Sequence, residues 1–123
     1  MSRTMLFAGS LSAGISVALG AFGAHGLSSR LSPDMLQIWE TGARYQMYHA
    51  LALLAVSWVC TRLPASSLAG WAGILFIVGT VLFCGSLYVL AVSGRLWLGA
   101  ITPLGGLAFL AGWICLALSA VWG

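Results

Sequence analysis

Charged residues are what this chain has least of: among 123 residues there are five arginines, no lysine and two carboxylates, so that 6% of the chain is charged. A soluble domain typically carries about a quarter of its residues as charged side chains. Because 61% of the chain is hydrophobic, too little polar surface remains to cover a soluble globule. The composition therefore excludes a soluble domain and predicts an integral membrane protein.

The few charges and cysteines form no cluster. Arginines stand singly along the chain, at Arg3, Arg30, Arg44, Arg62 and Arg95. Scattered arginines that flank apolar runs are typical of membrane-edge anchors, whereas nucleic-acid binding needs a basic patch. The three cysteines match no metal-ligand spacing and lie in or beside apolar segments, at Cys60, Cys84 and Cys115. We therefore expect membrane lipids as partners, no nucleic acid, no metal and no cofactor.

Four apolar segments have the length that a membrane-spanning helix needs, which is about 20 residues. We predict a single domain over residues 1–123 with helices at about 5–26, 33–60, 68–92 and 96–122. Short connections make successive helices antiparallel. The predicted fold is thus an all-α membrane protein, an antiparallel bundle of four transmembrane helices with both termini on the same side. The arginines are too evenly divided to decide which side faces the cytoplasm.

The first predicted helix carries small residues every four positions, at Ser10, Gly14 and Ala18, with Gly9 and Ala13 beside them. Such a face lets another membrane helix approach closely. The helix ends in a glycine-rich run that places His25 near the membrane edge. One interpretation of His25 is an interfacial histidine bonded to water or a carbonyl group, and the other is a functional partner for the polar stretch that follows.

The second predicted helix begins with an N-cap serine and a proline at the first helical position, Ser32 and Pro33. From Pro33 to Cys60 it would be about 42 Å long, which exceeds the roughly 30 Å hydrocarbon layer. We therefore expect its first turns to lie in the membrane interface and the helix to bend near Gly42.

Polar side chains concentrate in the first half of this second helix. At 100° per residue one half-circle of the helix holds Gln37, Glu40, Thr41, Arg44, Tyr45, Tyr48 and His49. Glu40 and Arg44 are four residues apart with the acid first, the favourable order for a helical ion pair. Gln46 points away from this strip, toward a neighbouring helix. Because ionisable groups inside a membrane are costly, they mark a candidate site.

The fourth predicted helix contains Pro103 and the glycine pair Gly105 and Gly106 near its start. Proline removes a backbone hydrogen bond, so we expect a break there, with Thr102 capping a restarted helix. The predicted topology places this break on the same side of the membrane as His25 and Glu40. The candidate polar membrane site therefore comprises His25, Glu40, Arg44, Tyr45, Gln46, His49 and Thr102, with no residue assigned as catalytic.

Three stretches together resemble a known family: residues 19–27, with the run Gly-Ala-Phe-Gly-Ala-His-Gly; residues 39–52, with Tyr-Gln-Met-Tyr-His; and residues 85–88 with 99–106. The chain resembles the small membrane proteins catalogued as domain of unknown function 423, to which the eukaryotic transmembrane protein 256 is similar. Arg44 and Cys84 depart from the family pattern. The resemblance implies four membrane helices, usually in the bacterial cytoplasmic membrane, and it implies no activity.

Three functions remain open at this point. The favoured one is a non-enzymatic packing or assembly component, either homo-oligomeric or bound to a larger membrane-protein complex. The alternative is an oligomeric permeation unit for small solutes or protons, using His25 and His49. The third is an intramembrane enzyme that modifies lipids, with Glu40 and a histidine as acid and base. The sequence leaves enzymatic activity open and favours its absence.

Overall fold

The computed structural model describes residues 1–122, which fold into helices without any strand. Helix α1 runs Ser2–Phe22 and continues as a π-helical turn, Gly23–Leu27. Helix α2 spans Pro33–Arg62. Helix α3, Ser67–Gly79, passes through a second π-helical turn, Thr80–Cys84, into α4, Gly85–Ser93. A 3-10 turn, Leu96–Ala100, precedes α5, Thr102–Trp122. The all-helical prediction is confirmed.

Three helical segments are long and apolar enough to cross a membrane: Ser2–Leu27, Ser67–Ser93 and Leu96–Trp122. Helix α2 is not one of them by this criterion, because polar residues occupy its first half. Length and composition therefore support three of the four predicted crossings. The second observation that bears on whether α2 crosses the membrane is its packing against the other helices.

Helices α1 and α2 lie side by side in opposite directions along most of their length. At one end the hydroxyl groups of Ser2 and Ser57 each donate to the other residue's carbonyl oxygen, at 3.0 and 2.8 Å. At the other end Trp39 Nε1 donates to the carbonyl oxygen of Leu19, at 2.8 Å. The two helices are thus tied together at both ends.

Small residues permit this close packing through Gly9, at the edge of the predicted face, and not through Ser10, Gly14 and Ala18. A Cβ added to Gly9 would lie 2.9 Å from the carbonyl oxygen of Ala50 on α2, so the two backbones nearly touch. The predicted face, Ser10, Gly14 and Ala18, is exposed on the outside of α1. Periodicity had identified a small-residue helix, and the contacts show that a neighbouring strip of that helix faces α2.

The core forms where α2, α3 and α5 meet. Its buried side chains come from α1, α2, α3, the second π-helical turn and α5, and they are Met5, Ala52, Leu53, Val56, Ala72, Phe76, Cys84 and Phe109. Helix α3 packs against α5, and both α3 and α4 pack against α2. Helix α2 therefore has other helices packed around it on all sides except one.

Helix α2 continues through Gly42 without interruption, where a bend was expected. Gly42 has a different role: a Cβ there would lie 2.8 Å from the ring of Tyr88 on α4. The break at the start of the last segment does occur. The chain leaves the 3-10 turn at Ile101, whose carbonyl oxygen accepts from Leu104 N at 3.0 Å, and α5 begins at Thr102.

Candidate functional site

His49 lies in the middle of α2 and is 4% exposed. Its Nδ1 atom is 2.8 Å from the carbonyl oxygen of Tyr45, one turn earlier. Trp113 of α5 donates through Nε1 to His49 Nε2, at 3.1 Å. Because indole N–H can only donate, Nε2 must be the unprotonated nitrogen and Nδ1 must carry the hydrogen. The two bonds therefore specify a neutral imidazole in one tautomer.

The His49 ring is also part of an aromatic cluster. It lies flat against Phe109, with ring centroids 3.5 Å apart and planes 7° from parallel. Phe76 and Trp113 pack around the same ring at 5.4 and 5.8 Å. Tilted contacts such as those with Phe76 and Trp113 contribute about 0.5–1.5 kcal/mol each beyond area burial. Histidine here serves as a packed aromatic ring with one polar contact across to α5.

A surface groove of about 530 Å³ runs beside this cluster, between α2 and α5. Its lining is almost wholly apolar and consists of Tyr45, His49, Phe83, Pro103, Gly106, Leu107, Phe109, Leu110 and Trp113. The side chains of His49 and Trp113 bridge the two walls. The groove opens sideways, toward what would be lipid if these helices span the membrane.

Gln46 lies three residues before His49, about 60° around α2, and joins three helices. Its Nε2 donates to the carbonyl oxygen of Ser12 on α1 at 3.1 Å and to the Ser12 hydroxyl at 3.3 Å. The hydroxyl of Tyr88 on α4 donates to Gln46 Oε1 at 2.7 Å. The amide thus uses both of its ends, and the expectation that Gln46 contacts a neighbouring helix agrees with this geometry.

The structure does not bring all of the candidate residues together. Tyr45, His49, Pro103 and Gly106 share the groove. The others lie elsewhere: His25, Glu40 and Arg44 are exposed, while Gln46 is turned toward α1 and α4. In residues 1–122 no hydrogen bond joins the Glu40 and Arg44 side chains. The predicted single polar site is therefore divided into a groove, a buried amide contact and an exposed charged strip.

The residues at the break behave differently from one another. Thr102 does not cap α5; its hydroxyl lies 2.6 Å from the hydroxyl of Ser86 on α4. Gly105 is buried, and a Cβ there would lie 2.7 Å from the Cα of Phe83, so α5 meets the π-helical turn at that point. The break thus positions α5 against its neighbour and supplies no free polar group.

Sequence reasoning missed the main partners of the buried polar groups. Trp113 of α5 was not among the candidate residues, and it bonds His49. Ser12 and Tyr88 hold Gln46. Tyr88 lies within residues 85–88, one of the stretches that carry the family resemblance. That resemblance was the only sequence feature that could have marked Tyr88 as important. Trp113 and Ser12 have no local signal, because helix packing alone brings them to α2.

The buried polar groups of residues 1–122 are paired within the chain. Among residues 1–122 no group of three His, Cys, Asp or Glu side chains is placed to hold a metal ion. In the same part of the chain every buried side-chain nitrogen and oxygen has a hydrogen-bond partner. Of these groups, Gln46 and His49 link α2 to other helices, whereas Ser119 bonds the backbone of its own helix.

Apolar spanning helices joined by a satisfied polar core define the class: this is a small all-helical membrane protein. The chain belongs to the family described as "Protein of unknown function (DUF423)", which it matches over residues 19–106. The family assignment from the sequence is confirmed.

Named relatives cover nearly the whole chain. It is 45% identical over 119 residues to the UPF0382 membrane protein YwdK of Bacillus subtilis, covering 97% of each chain. It is 44% identical over 121 residues to the UPF0382 inner membrane protein YgdD of Escherichia coli, covering 98% of this chain and 91% of the relative. The UPF0382 membrane protein SH2409 of Staphylococcus haemolyticus is 44% identical over 117 residues, which is 95% of this chain and 94% of that protein. No solved structure matches the chain.

Proposed function

We propose that the protein is a non-enzymatic packing and assembly component of the bacterial cytoplasmic membrane, built as a bundle of four antiparallel transmembrane helices. One observation carries this proposal. The buried polar side chains of α2 all bond to neighbouring helices of the same chain, and none of them is left over to bind a substrate or an ion. Satisfied polar networks of this kind fix helix register.

Packing against α1 supports α2 as the fourth crossing. The Ser2–Ser57 contacts and the Trp39–Leu19 contact place α2 beside α1 from end to end. Since α1 has the length and apolarity of a membrane span, a helix that accompanies it must cross the same layer. The polar groups that lower the hydropathy of α2 are partly buried, because Gln46 and His49 bond to other helices. An even number of crossings puts both termini on one side.

The division of the candidate residues argues against a permeation pathway. A pathway across the membrane needs polar groups that follow one another through the protein. His25 and Glu40 are exposed, whereas His49 is enclosed by Phe76, Phe109 and Trp113. An acid/base pair for lipid chemistry meets the same difficulty, because neither Glu40 nor His25 lies in the groove with His49.

The test is the state of the protein in its membrane. Crosslinking in native membranes, followed by blue-native electrophoresis in a mild detergent, should show a discrete complex larger than the 12.8 kDa chain. A protein that stays monomeric and recruits no partner in both measurements would overturn the proposal.

A flux measurement separates the alternative function. Proteoliposomes that contain the purified protein should be no more permeable to protons or small solutes than empty vesicles. The proposal fails, and permeation replaces it, if the protein conducts and the His49→Phe and Glu40→Gln variants abolish that flux.

A further inference from the structure

One side of α2 has no helix packed against it. The side chains along it are exposed, with Tyr48 at 52%, Leu51 at 53% and Trp58 at 62%. Glu40 and Arg44 continue the same strip toward the start of the helix, and both are exposed. Spacings of three and four residues align all of these positions on one face. We call Glu40, Arg44, Tyr48, Leu51, Ala55 and Trp58 the outer strip.

The outer strip is separate from the contacts that hold α2 in the bundle. Those contacts use other sides of the helix, through Trp39, Gln46, His49 and Val56. The outer strip also lies outside the His49 groove, whose α2 lining is Tyr45 and His49. Nothing in residues 1–122 covers it.

Its charged end lies within the apolar length of the neighbouring helix. Trp39 bonds the backbone of Leu19, so Glu40 and Arg44 are beside the last apolar turns of α1. Phe22, still farther along α1, is 50% exposed. Charged side chains that face hydrocarbon are expensive, and proteins satisfy them by pairing. Because Glu40 and Arg44 are exposed and no ion pair joins them in residues 1–122, both are free to pair with groups outside the chain.

We propose that the outer strip binds the outer strip of a second copy, about a two-fold axis roughly parallel to the helices. In this arrangement Glu40 of each chain pairs with Arg44 of the other. The two charges are opposite and four residues apart, about 6 Å along the helix. A strip that carries both signs in one turn is self-complementary, as a two-fold interface requires. This inference rests on the proposed assembly function and names the surface and the partner.

The rest of the outer strip suits the same partner. Below the charged turn it presents Leu51 and Ala55, and the small Ala55 side chain allows two helices to approach closely. An anionic lipid headgroup would fit Arg44 but would be repelled by Glu40 on the same turn. A second copy satisfies both charges at once.

Charge exchange between two copies tests the pairing. Glu40→Arg leaves two positive charges on the turn, and Arg44→Glu leaves two negative charges. Each variant expressed alone should give about tenfold less dimer, because like charges then face each other. Co-expression of the two variants, each with its own affinity tag, should restore dimer between them. Co-purification from native membranes measures this directly, and rescue also shows that both variants fold.

Cysteine crosslinking tests the surface. In a chain that carries Cys60→Ser and Cys115→Ser and keeps the buried Cys84, Leu51→Cys should crosslink to its counterpart with a short bismaleimide. Leu107→Cys on α5 is 63% exposed and is the matched control that should not crosslink. Arg30→Glu, an exposed charge away from the outer strip, should leave dimer formation unchanged.

The outcomes distinguish this inference from the proposed function. A native complex without crosslinking at Leu51 and without rescue by co-expression overturns the dimer surface and leaves the assembly function standing. A protein that is monomeric throughout overturns both. If dimer is never seen and Glu40→Arg increases the amount of anionic lipid that co-purifies with the protein, a lipid headgroup is the partner and the second copy is excluded.

Discussion

His49 illustrates how a polar residue is accommodated inside this protein. Both ring nitrogens are engaged, one with the Tyr45 carbonyl oxygen and one with Trp113, and the ring face lies on Phe109. An unpaired nitrogen in the same place would cost about 1–3 kcal/mol. His49, one of the candidate residues of the polar membrane site, is in the folded chain a connector between α2 and α5.

At this scale we predict strong coupling between His49 and Trp113. Trp113→Phe should lower the free energy of unfolding by roughly 1–3 kcal/mol, because Nε2 loses its donor. Adding His49→Phe should cost less in that background than in the wild type, since no polar atom is then left unpaired. A double-mutant cycle of unfolding in mixed detergent micelles measures the coupling. Additive effects of the two changes would contradict this account.

Among the elements, the π-helical turn between α3 and α4 and the break before α5 depend on each other. The turn brings the backbone of Phe83 to Gly105, where no side chain fits. Gly106, the next residue, has only the distant Phe83 ring edge near it, at 3.9 Å from an added Cβ. A side chain would therefore fit at Gly106 but not at the adjacent Gly105.

The matched substitutions Gly105→Ala and Gly106→Ala should behave oppositely. Gly105→Ala forces a backbone shift and should destabilise the protein by roughly 1–3 kcal/mol. Gly106→Ala should leave stability unchanged or raise it slightly, because alanine favours the helix. Thermal unfolding in detergent, followed by circular dichroism, compares the two. Equal effects would mean that α5 does not pack on the π-helical turn as described.

For the whole molecule, the number of crossings depends on α2. Three segments qualify as spans by length and composition, and the packing of α2 on α1 supports α2 as a fourth. Three crossings would separate the two termini, whereas four would place them on the same side. The difference is directly measurable.

Reporter fusions at the N- and C-termini should report the same side of the membrane. A reporter inserted after Ser29, in the first connection, should report the opposite side, and one inserted after Ala65 should agree with the termini. Termini found on opposite sides would show that α2 does not cross.

Much of the site could not be read from the sequence, for a physical reason. Polar strips on α2 were visible from periodicity, but a strip contains residues that face solvent or lipid and residues that face another helix. Glu40 and Arg44 are exposed, whereas Gln46 and His49 are buried by contacts with Ser12, Tyr88 and Trp113. Those partners lie 34 to 64 residues away in sequence, and no local pattern links them.

The amino-acid sequence alone established the membrane class, the helical segments, the family and the break near Pro103, because apolar composition, helix length and proline geometry act locally. The tertiary structure alone decided which face of each helix is buried. It turned the α1 strip with Gly9 toward α2, enclosed His49 among aromatic rings, and left Glu40 and Arg44 outside. In lipid an apolar side chain gains little free energy by moving from the surface into the protein. The buried face of each helix is therefore selected by close contacts and hydrogen bonds, which composition does not encode.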